Sequence, residues 1–524
     1  MEGPQGKIIY NRSSRGSKSK SLPALHLAGI VFKNIYPKYR ATFINNRHGI
    51  NNTLYAGTQL IMALTYKVEV LEICQISPPL GSISTASLPL TFFDIPWLVL
   101  PPVQTLFYYE LNHPKTYFMN TILPNIKHSL SLTLQHFYPL AGQLTWPQDS
   151  VKPQLLYMDG DSVPLTVAEC DYDFDHLSGN LSRNADEFYP LVPTFEHAMS
   201  DDKLVPILAL QVTFFANKGI CIGITFNHTS MDGQAFHHFI KSWASICKSE
   251  GITSLVTESL PFYDRTVVKD RKGIEIINLN DLEAMNITKD TYNILRIPMV
   301  PIDKVRGTFV MSYLDIKKLK QWVMTRLDDR HVAPSFRIST FILISSYVWI
   351  CSIKARQDTQ DDKSSCQDWR EYFLFSIDCR PRLDPPLPMT YFGNCVGGCI
   401  ANGDRNELIG ENGMVVAAEL IANAIKNVDT ELWSRMEKGS SYYKSLPPGR
   451  FVSVGWSPKF GTYETDFGWG RPKKTEMNVS DGGAIALNSC RDEEGAIEVS
   501  LVRDAVEMDA FASLFENTVS ALHL

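Results

Sequence analysis

Apolar and polar residues alternate over 66–76 (YKVEVLEICQI), the period of a half-buried strand. Strands are also predicted over 153–158, 163–169, 205–215, 219–226, 371–378, 483–489 and 496–502; in 371–378, Phe373, Phe375 and Ile377 share a face. Helices are predicted over 121–136, 234–248, 314–327, 339–355, 411–437 and 507–522. In 234–248, Phe236, Phe239, Ile240, Trp243 and Cys247 form one apolar stripe, as expected of a helix lying on a core. Ser339 is placed to cap the helix that follows it. The apolar segment Leu88 to Val103 is broken by Pro89, Pro96, Pro101 and Pro102, which predicts a buried extended loop rather than a helix. Residues 264–304 lose periodicity and gain charge, and read as a long crossover. Strands and helices are mixed without a regular βαβ repeat, which argues for two α/β domains of similar size.

Composition narrows this picture. The 524 residues are 44% hydrophobic and 20% charged, ample for packed cores, so whole-chain disorder, collagen and coiled coil are excluded. The net charge of −6 argues against a nucleic-acid binder held by a general basic field. No run of about 18 uncharged apolar residues exists, so no membrane span is expected. The ten cysteines are scattered, and Cys395 and Cys399 have no second pair to complete a zinc site. Disulfides are not required, and a reducing cytoplasm is the simpler location.

Charge is unevenly placed. Residues 1–61 carry a balance of +8, against −14 for the rest. This serine- and asparagine-rich stretch has no apolar h-region, so it does not read as a secretory signal. It reads as a disordered tail or an upstream gene-model artefact, with Met62 as the natural start; a basic organelle transit peptide is the alternative. A chain beginning at Met62 is expected to be soluble and active.

Three segments carry candidate chemistry. In GICIGITFNHTSMDG (219–233) a β-run ends at Phe226 and a helix begins after Gly233, so His228 sits at a strand-to-helix junction. Histidine is the side chain suited to proton transfer near neutral pH. A core histidine satisfied by backbone is the plainer alternative. Asp232 has the position of a helix N-cap, and no further ligand cluster supports a metal pair with His228. Ser230 lacks the preceding glycine of a nucleophile elbow. DFGWG (466–470) suggests a tight turn anchored by an aromatic ring and is followed by RPKK, read as a solvated charge run; a kinase reading fails for want of its other motifs. DCRPRLDPPLPMTYFGN (378–394) reads as a rigid loop.

Together these segments resemble the BAHD family of plant acyl-CoA-dependent acyltransferases. Its HxxxDG signature is matched by His228 to Gly233 and its DFGWG signature by Asp466 to Gly470, more than 230 residues apart. LPLTFFDIPWL (88–98), FYPLAGQL (137–144), VRGTF (305–309) and YFGNC (391–395) are also similar, so the resemblance covers nearly all of 62–524. It implies two chloramphenicol-acetyltransferase-like α/β domains with a solvent channel between them: 62–263, a crossover loop at 264–304, and 305–524, with a segment exchanged between domains near 467–492. It implies transfer of an acyl group from acyl-CoA to a hydroxyl, with His228 as general base and no acyl-enzyme. His228 and Asp466 are the signature residues of the catalytic apparatus, Asp466 by shaping the wall of the CoA channel. Asp232 pairs with an arginine of the second domain, here Arg380, in support of the site. Asn394 is expected near the acyl-CoA.

The YFGNC and LPLTFFDIPWL segments resemble the flavonoid, anthocyanin and phenolic glucoside malonyltransferase subgroup. This implies malonyl-CoA as co-substrate, a phenolic or flavonoid glucoside as acceptor, no bound cofactor or metal, no nucleic-acid or membrane partner, and a monomer. A hydroxycinnamoyl donor remains the alternative, as does a non-catalytic acyl-CoA-binding protein. A malonyl carboxylate in a dry channel wants a cation, best an arginine. Arg183, in DFDHLSGNLSRN (173–184), is the candidate on this resemblance, with a surface-loop arginine as the alternative.

Overall fold

The computed structural model describes residues 68–195, 204–252, 255–292, 303–329, 336–359, 369–477 and 484–521. The basic stretch 1–61 lies outside the described residues. Two large sheets organise the chain. The first has six strands, in the order 68–76, 163–170, 208–215, 219–226, 103–110 and 474–477. The second has seven, in the order 396–404, 370–378, 451–456, 484–489, 497–504, 304–311 and 183–184. A small sheet of four short strands, 86–89, 154–157, 143–145 and 205–206, stands beside them.

The two halves exchange strands reciprocally. Lys474–Met477, from the second half of the chain, closes one edge of the first sheet by pairing antiparallel with 103–110. Arg183–Asn184, from the first half, ends the second sheet by pairing with Val305 and Arg306. Each half thus completes a hydrogen-bonded edge of the other, which ties the two bodies together more firmly than a linker does.

Each sheet has its own apolar core. In the first, the helices Leu123–His136 and Gly233–Lys248 pack together, and Trp243, fully buried, donates its indole N–H to the Ser129 hydroxyl at 3.2 Å. In the second, the helices Thr340–Thr359, Gly413–Lys426 and Ala505–Ala521 cover the sheet around Tyr347, Trp349 and Phe515. Ser339 caps its helix by accepting from Ile342 N at 3.3 Å.

The structure departs from the sequence expectations in five places. The segment Leu88 to Val103, expected as a buried extended loop, contains the helical turn Ile95–Val99, with Pro96 in its first turn, where a missing N–H costs nothing. The helix expected over 411–437 is two, 413–426 and 428–437, broken at Asn427. The strand expected over 205–215 is split into 205–206 and 208–215. The crossover contains a helix, Ile274–Ala284. Strands 103–110, 304–311 and 396–404 had no clear alternation to reveal them, and the alternation of 451–456 spans only six residues. In VQTLFYYE (103–110) the six middle residues are all buried, so both faces are covered and the period-2 signal vanishes.

Candidate active site

The central strand Gly219–Phe226 is buried at every position, held by 208–215 on one side and 103–110 on the other. It delivers the chain to a short, tied-down turn. Asn227 N donates to Ile207 O at 2.8 Å, Thr229 N donates to the Asn227 side chain at 3.0 Å, and the Ser230 hydroxyl donates back to Asn227 O at 2.7 Å. The Ser230 oxygen is therefore engaged within the turn. Asp232 then caps the helix Gly233–Lys248, accepting from Ala235 N at 3.0 Å. The predicted apolar stripe of that helix is buried in full.

His228 projects from this turn and keeps part of its surface open. The Trp97 ring lies against its imidazole, with centroids 3.7 Å apart and planes 9° from parallel. Nδ1 is enclosed, away from any approaching substrate. Nε2 is therefore the nitrogen suited to meet a substrate. Desolvation lowers the His228 pKa below the ordinary histidine value; its own carbonyl, Asp232, the Asn394 side chain and Asp94 pull the other way without overcoming it. The ring is thus held neutral near pH 7, the state a general base requires.

Asp232 is 1% exposed and Arg380 is fully buried. Arg380 grips Asp232 with both terminal nitrogens, NH1 to Oδ2 at 2.9 Å and NH2 to Oδ1 at 3.1 Å. Cys395 N also donates to Asp232 Oδ2 at 2.9 Å. Four donors saturate this carboxylate, so Asp232 is a structural clamp joining the turn after His228 to the 378–395 loop. The surrounding charge raises the Arg380 pKa still further, and the guanidinium stays charged.

Asn394 joins the same cluster. It is fully buried, and its amide donates to Asp94 Oδ1 at 3.0 Å, His228 O at 2.9 Å and Thr229 O at 3.3 Å. Its amide thus ties Asp94 to the main chain of the turn that carries His228. Gly393 before it adopts φ +141°, a conformation that favours glycine and turns Asn394 inward.

Asp466 lies elsewhere. Its Oδ1 accepts from Gly468 N and Gly470 N, both at 2.8 Å, and its Oδ2 pairs with Lys248 at 2.6 Å. Both glycines have positive φ, +104° and +92°, which explains the spacing of DFGWG. Lys248 ends the 16-residue helix that Asp232 begins, about 24 Å along the axis at 1.5 Å per residue, so Asp466 lies by the opposite end of that helix from Asp232. Its contacts shape its own loop and tie that loop to the helix end.

Arg183 is enclosed at the exchanged strands. Its side chain is 0% exposed and its NH2 pairs with Glu476 Oε1 at 2.9 Å, while NH1 donates to Leu177 O at 2.6 Å and Nε to Leu181 O at 2.9 Å. Arg306 approaches the same Glu476 at 3.2 Å. Glu476 stands level with Leu106, and Leu106 with Gly223, five residues before His228, on the order of 15 Å away along the strand. A malonyl carboxylate is one methylene beyond the reacting carbonyl and falls short of that distance. Arg183 is an interdomain latch at the exchanged strands. Nor is RPKK simply solvated: Lys474 is 2% exposed, in the exchanged strand, and pairs with Glu498 at 3.3 Å.

Comparison with known proteins supplies the family. The model described as the Transferase family matches residues 66–518. The chain is 37% identical over 457 residues to malonyl-coenzyme A:anthocyanin 3-O-glucoside-6''-O-malonyltransferase of Dahlia pinnata, covering 86% of this chain and 96% of that protein. The chain belongs to the BAHD transferase family. It is also 36% identical to phenolic glucoside malonyltransferase 2 of Arabidopsis thaliana (86% of this chain, 99% of that one). It is 34% identical to coumaroyl-CoA:anthocyanidin 3-O-glucoside-6''-O-coumaroyltransferase 1 of Arabidopsis thaliana (86% and 97%). The solved structure of vinorine synthase shares its two-domain α/β fold, with a TM-score of 0.62 at 19% identity (86% and 98% covered). As a BAHD transferase it is an acyl-CoA-dependent O-acyltransferase.

In this BAHD chain a second buried ion pair escaped the sequence reading. Asp94, fully buried, accepts from Thr91 N and Thr91 Oγ1 at 2.8 and 2.7 Å, from Asn394, and from Arg265. Arg265 comes from the crossover and also donates to Phe392 O at 3.3 Å. Asp94 and Arg265 thus hold the YFGNC segment from one side while Asp232 and Arg380 hold it from the other. The signal was faint: one acid, Asp94, in the otherwise apolar run LPLTFFDIPWL, a placement that demands a partner. Among the described residues no group of three or more His, Cys, Asp or Glu is placed to hold a metal ion, and no helix is long and apolar enough to cross a membrane.

Proposed function

We propose that this BAHD enzyme transfers a malonyl group from malonyl-CoA to a sugar hydroxyl of a phenolic or flavonoid glucoside, with His228 as general base. The observation that carries the chemistry is the neutral, partly open His228, clamped through Asn394 and Asp232. The substrates are those that the malonyltransferase relatives are named for.

The acceptor hydroxyl meets His228 Nε2, which takes its proton as the oxygen attacks the thioester carbon. Collapse of the tetrahedral species breaks the C–S bond, and the proton passes from Nε2 to the departing sulfur. A positioned base contributes typically about 10²–10⁴-fold. Holding donor and acceptor together supplies much of the rest. With Ser230 engaged in its turn, direct transfer without an acyl-enzyme is the simpler route.

Malonyl-, acetyl- and p-coumaroyl-CoA assayed against phenolic, flavonol and anthocyanin glucosides, with products read by mass, test the reading. The expected product is the malonylated glucoside. Efficient coumaroyl transfer without malonyl transfer would instead favour the second reading, a hydroxycinnamoyl transferase, which the 34% identical coumaroyltransferase supports. Thiol release without acceptor would point to a thioesterase, and no release with any pair to an acyl-CoA-binding protein.

A further inference from the structure

We propose that Trp97 is a positioning residue whose indole face stabilises the charge that appears on His228 during proton transfer. The inference rests on His228 being the base. Two aromatic planes 9° apart with centroids 3.7 Å apart are in full face contact. The indole is held as firmly as the ring it covers. Trp97 lies in the short helical turn Ile95–Val99, between the buried Ile95 and Leu98. That turn is fastened by Asp94, which accepts from Thr91 and pairs with Arg265. Asp94 also receives Asn394, whose amide donates to His228 O. One short segment therefore fixes both the imidazole, through Trp97, and the backbone that carries it, through Asp94.

The electrostatics assign the indole its part. The acceptor's O–H bond breaks, the proton goes to Nε2, and the ring carries a positive charge until the leaving sulfur takes that proton. Two carboxylates act on the ring from nearby, Asp232 and Asp94, and each is already paired with an arginine, Arg380 and Arg265. Asn394 offers only a dipole. The negative face of an aromatic ring attracts a cation, most strongly for tryptophan and where water is excluded. Since the charge exists only between the two proton transfers, this attraction favours the transition state over the ground state and so raises the rate rather than merely tightening binding.

The test uses the full chain, with the donor and acceptor pair found most active. Trp97→Leu removes the π face and Trp97→Phe weakens it. Tryptophan fluorinated to increasing degree, introduced at position 97 alone, drains the negative face while nearly keeping the shape, so it remains informative should Trp97→Leu fail to fold. The expected result is a graded fall in kcat/KM, reaching about 5- to 30-fold without the π face, with KM for the acyl-CoA unchanged. The acid limb of kcat/KM reports protonation of the free base. Loss of a group that favours imidazolium moves it to lower pH, by about one pH unit. A flat fluorination series, or a loss confined to KM for the acceptor with the acid limb unmoved, overturns the proposal and makes Trp97 a wall of the acceptor site. His228→Ala separates the two readings: if that variant stays active, the assignment of the base fails; if it is inactive and the series is flat, only the part given to Trp97 fails.

Discussion

Removing the Asp232 carboxylate strips four hydrogen bonds from one buried point: two from Arg380, one from Cys395 N and one from Ala235 N. The largest consequence of Asp232→Ala is electrostatic. Arg380 is fully buried; its further contact with Asp378 at 3.2 Å reaches a carboxylate that is 37% exposed. Breaking a buried ion pair from one side costs about 3–5 kcal/mol, because the surviving charge stays desolvated. Loss of the helix cap adds about 1 kcal/mol, although the two share the same atoms and will not sum fully. For a domain of some 200 residues each kcal/mol is about 2–4 °C, so the melting temperature should fall by roughly 10 °C. Asp232→Asn, which keeps an oxygen for the cap, should lose less. The double change Asp232→Ala with Arg380→Met should be more stable than Asp232→Ala alone, since it removes the orphaned charge. Thermal melts of the four proteins, with kcat measured below the first transition, decide the matter. Activity should fall along with stability, because the clamp orders the turn that carries His228. A variant Asp232→Ala that melts like the native protein yet is inactive would refute this reasoning and put Asp232 in the chemistry.

The other predictions rest on separate contacts. His228→Ala should lose about 10²–10⁴-fold in kcat/KM with an unchanged melt; near-native turnover by the folded variant excludes it as the base. In the native enzyme the acid limb of kcat/KM should fall below pH 6.5, since desolvation favours the neutral ring. Arg183→Ala should lower stability by about 3 kcal/mol, softened by Arg306, which stays beside Glu476. It should affect malonyl- and acetyl-CoA equally; a loss restricted to malonyl-CoA, seen in parallel KM determinations, would return Arg183 to the donor site. His237 is buried neutral, with Nδ1–H donating to Gly233 O at 2.7 Å and Nε2 accepting from Thr462 at 3.1 Å, and its pKa is lowered to about 3. Its folded-state pKa lies below the unfolded one, so its contribution is complete above pH 6.5 and is lost as pH falls from there toward 3, by up to about 1.4 kcal/mol per pH unit. His237→Gln should flatten that part of the stability profile in acid melts, whereas an unchanged slope would place the acid sensitivity elsewhere.

Much of the fold was legible because local pattern and tertiary environment agree. The stripe Phe236, Phe239, Ile240, Trp243 and Cys247 faces a core and so predicted its helix; Ser339 and Asp232 cap because a short polar side chain before a helix has free backbone N–H groups within reach. His228 stood out because it lies between a strand end and a helix start, in a turn that leaves part of its surface open. By contrast, 103–110 is buried on both faces and 396–404 (VGGCIANGD) is rich in glycine, so neither shows a strand period; pairing with neighbouring strands makes them strands.

Long-range pairing likewise decided the roles of the charged residues. Asp94 meets Arg265 across 171 positions and Asp232 meets Arg380 across 148, and Arg183 meets Glu476 only because two edge strands are exchanged between the halves. Arg380 was paired with Asp232 by the family resemblance, but Arg265 and Arg183 could as well have lain in solvent on sequence alone, as Lys474 was expected to. A sequence displays which residues can ionise, whereas burial sets the cost of leaving such a group unpaired, and burial is a property of the folded chain. The sequence by itself determined the secondary-structure frame, the family and His228 as the candidate base; the tertiary structure added Asp94, Asn394 and Arg265 to the side chains that hold its turn and tied Asp466 and Arg183 to other partners.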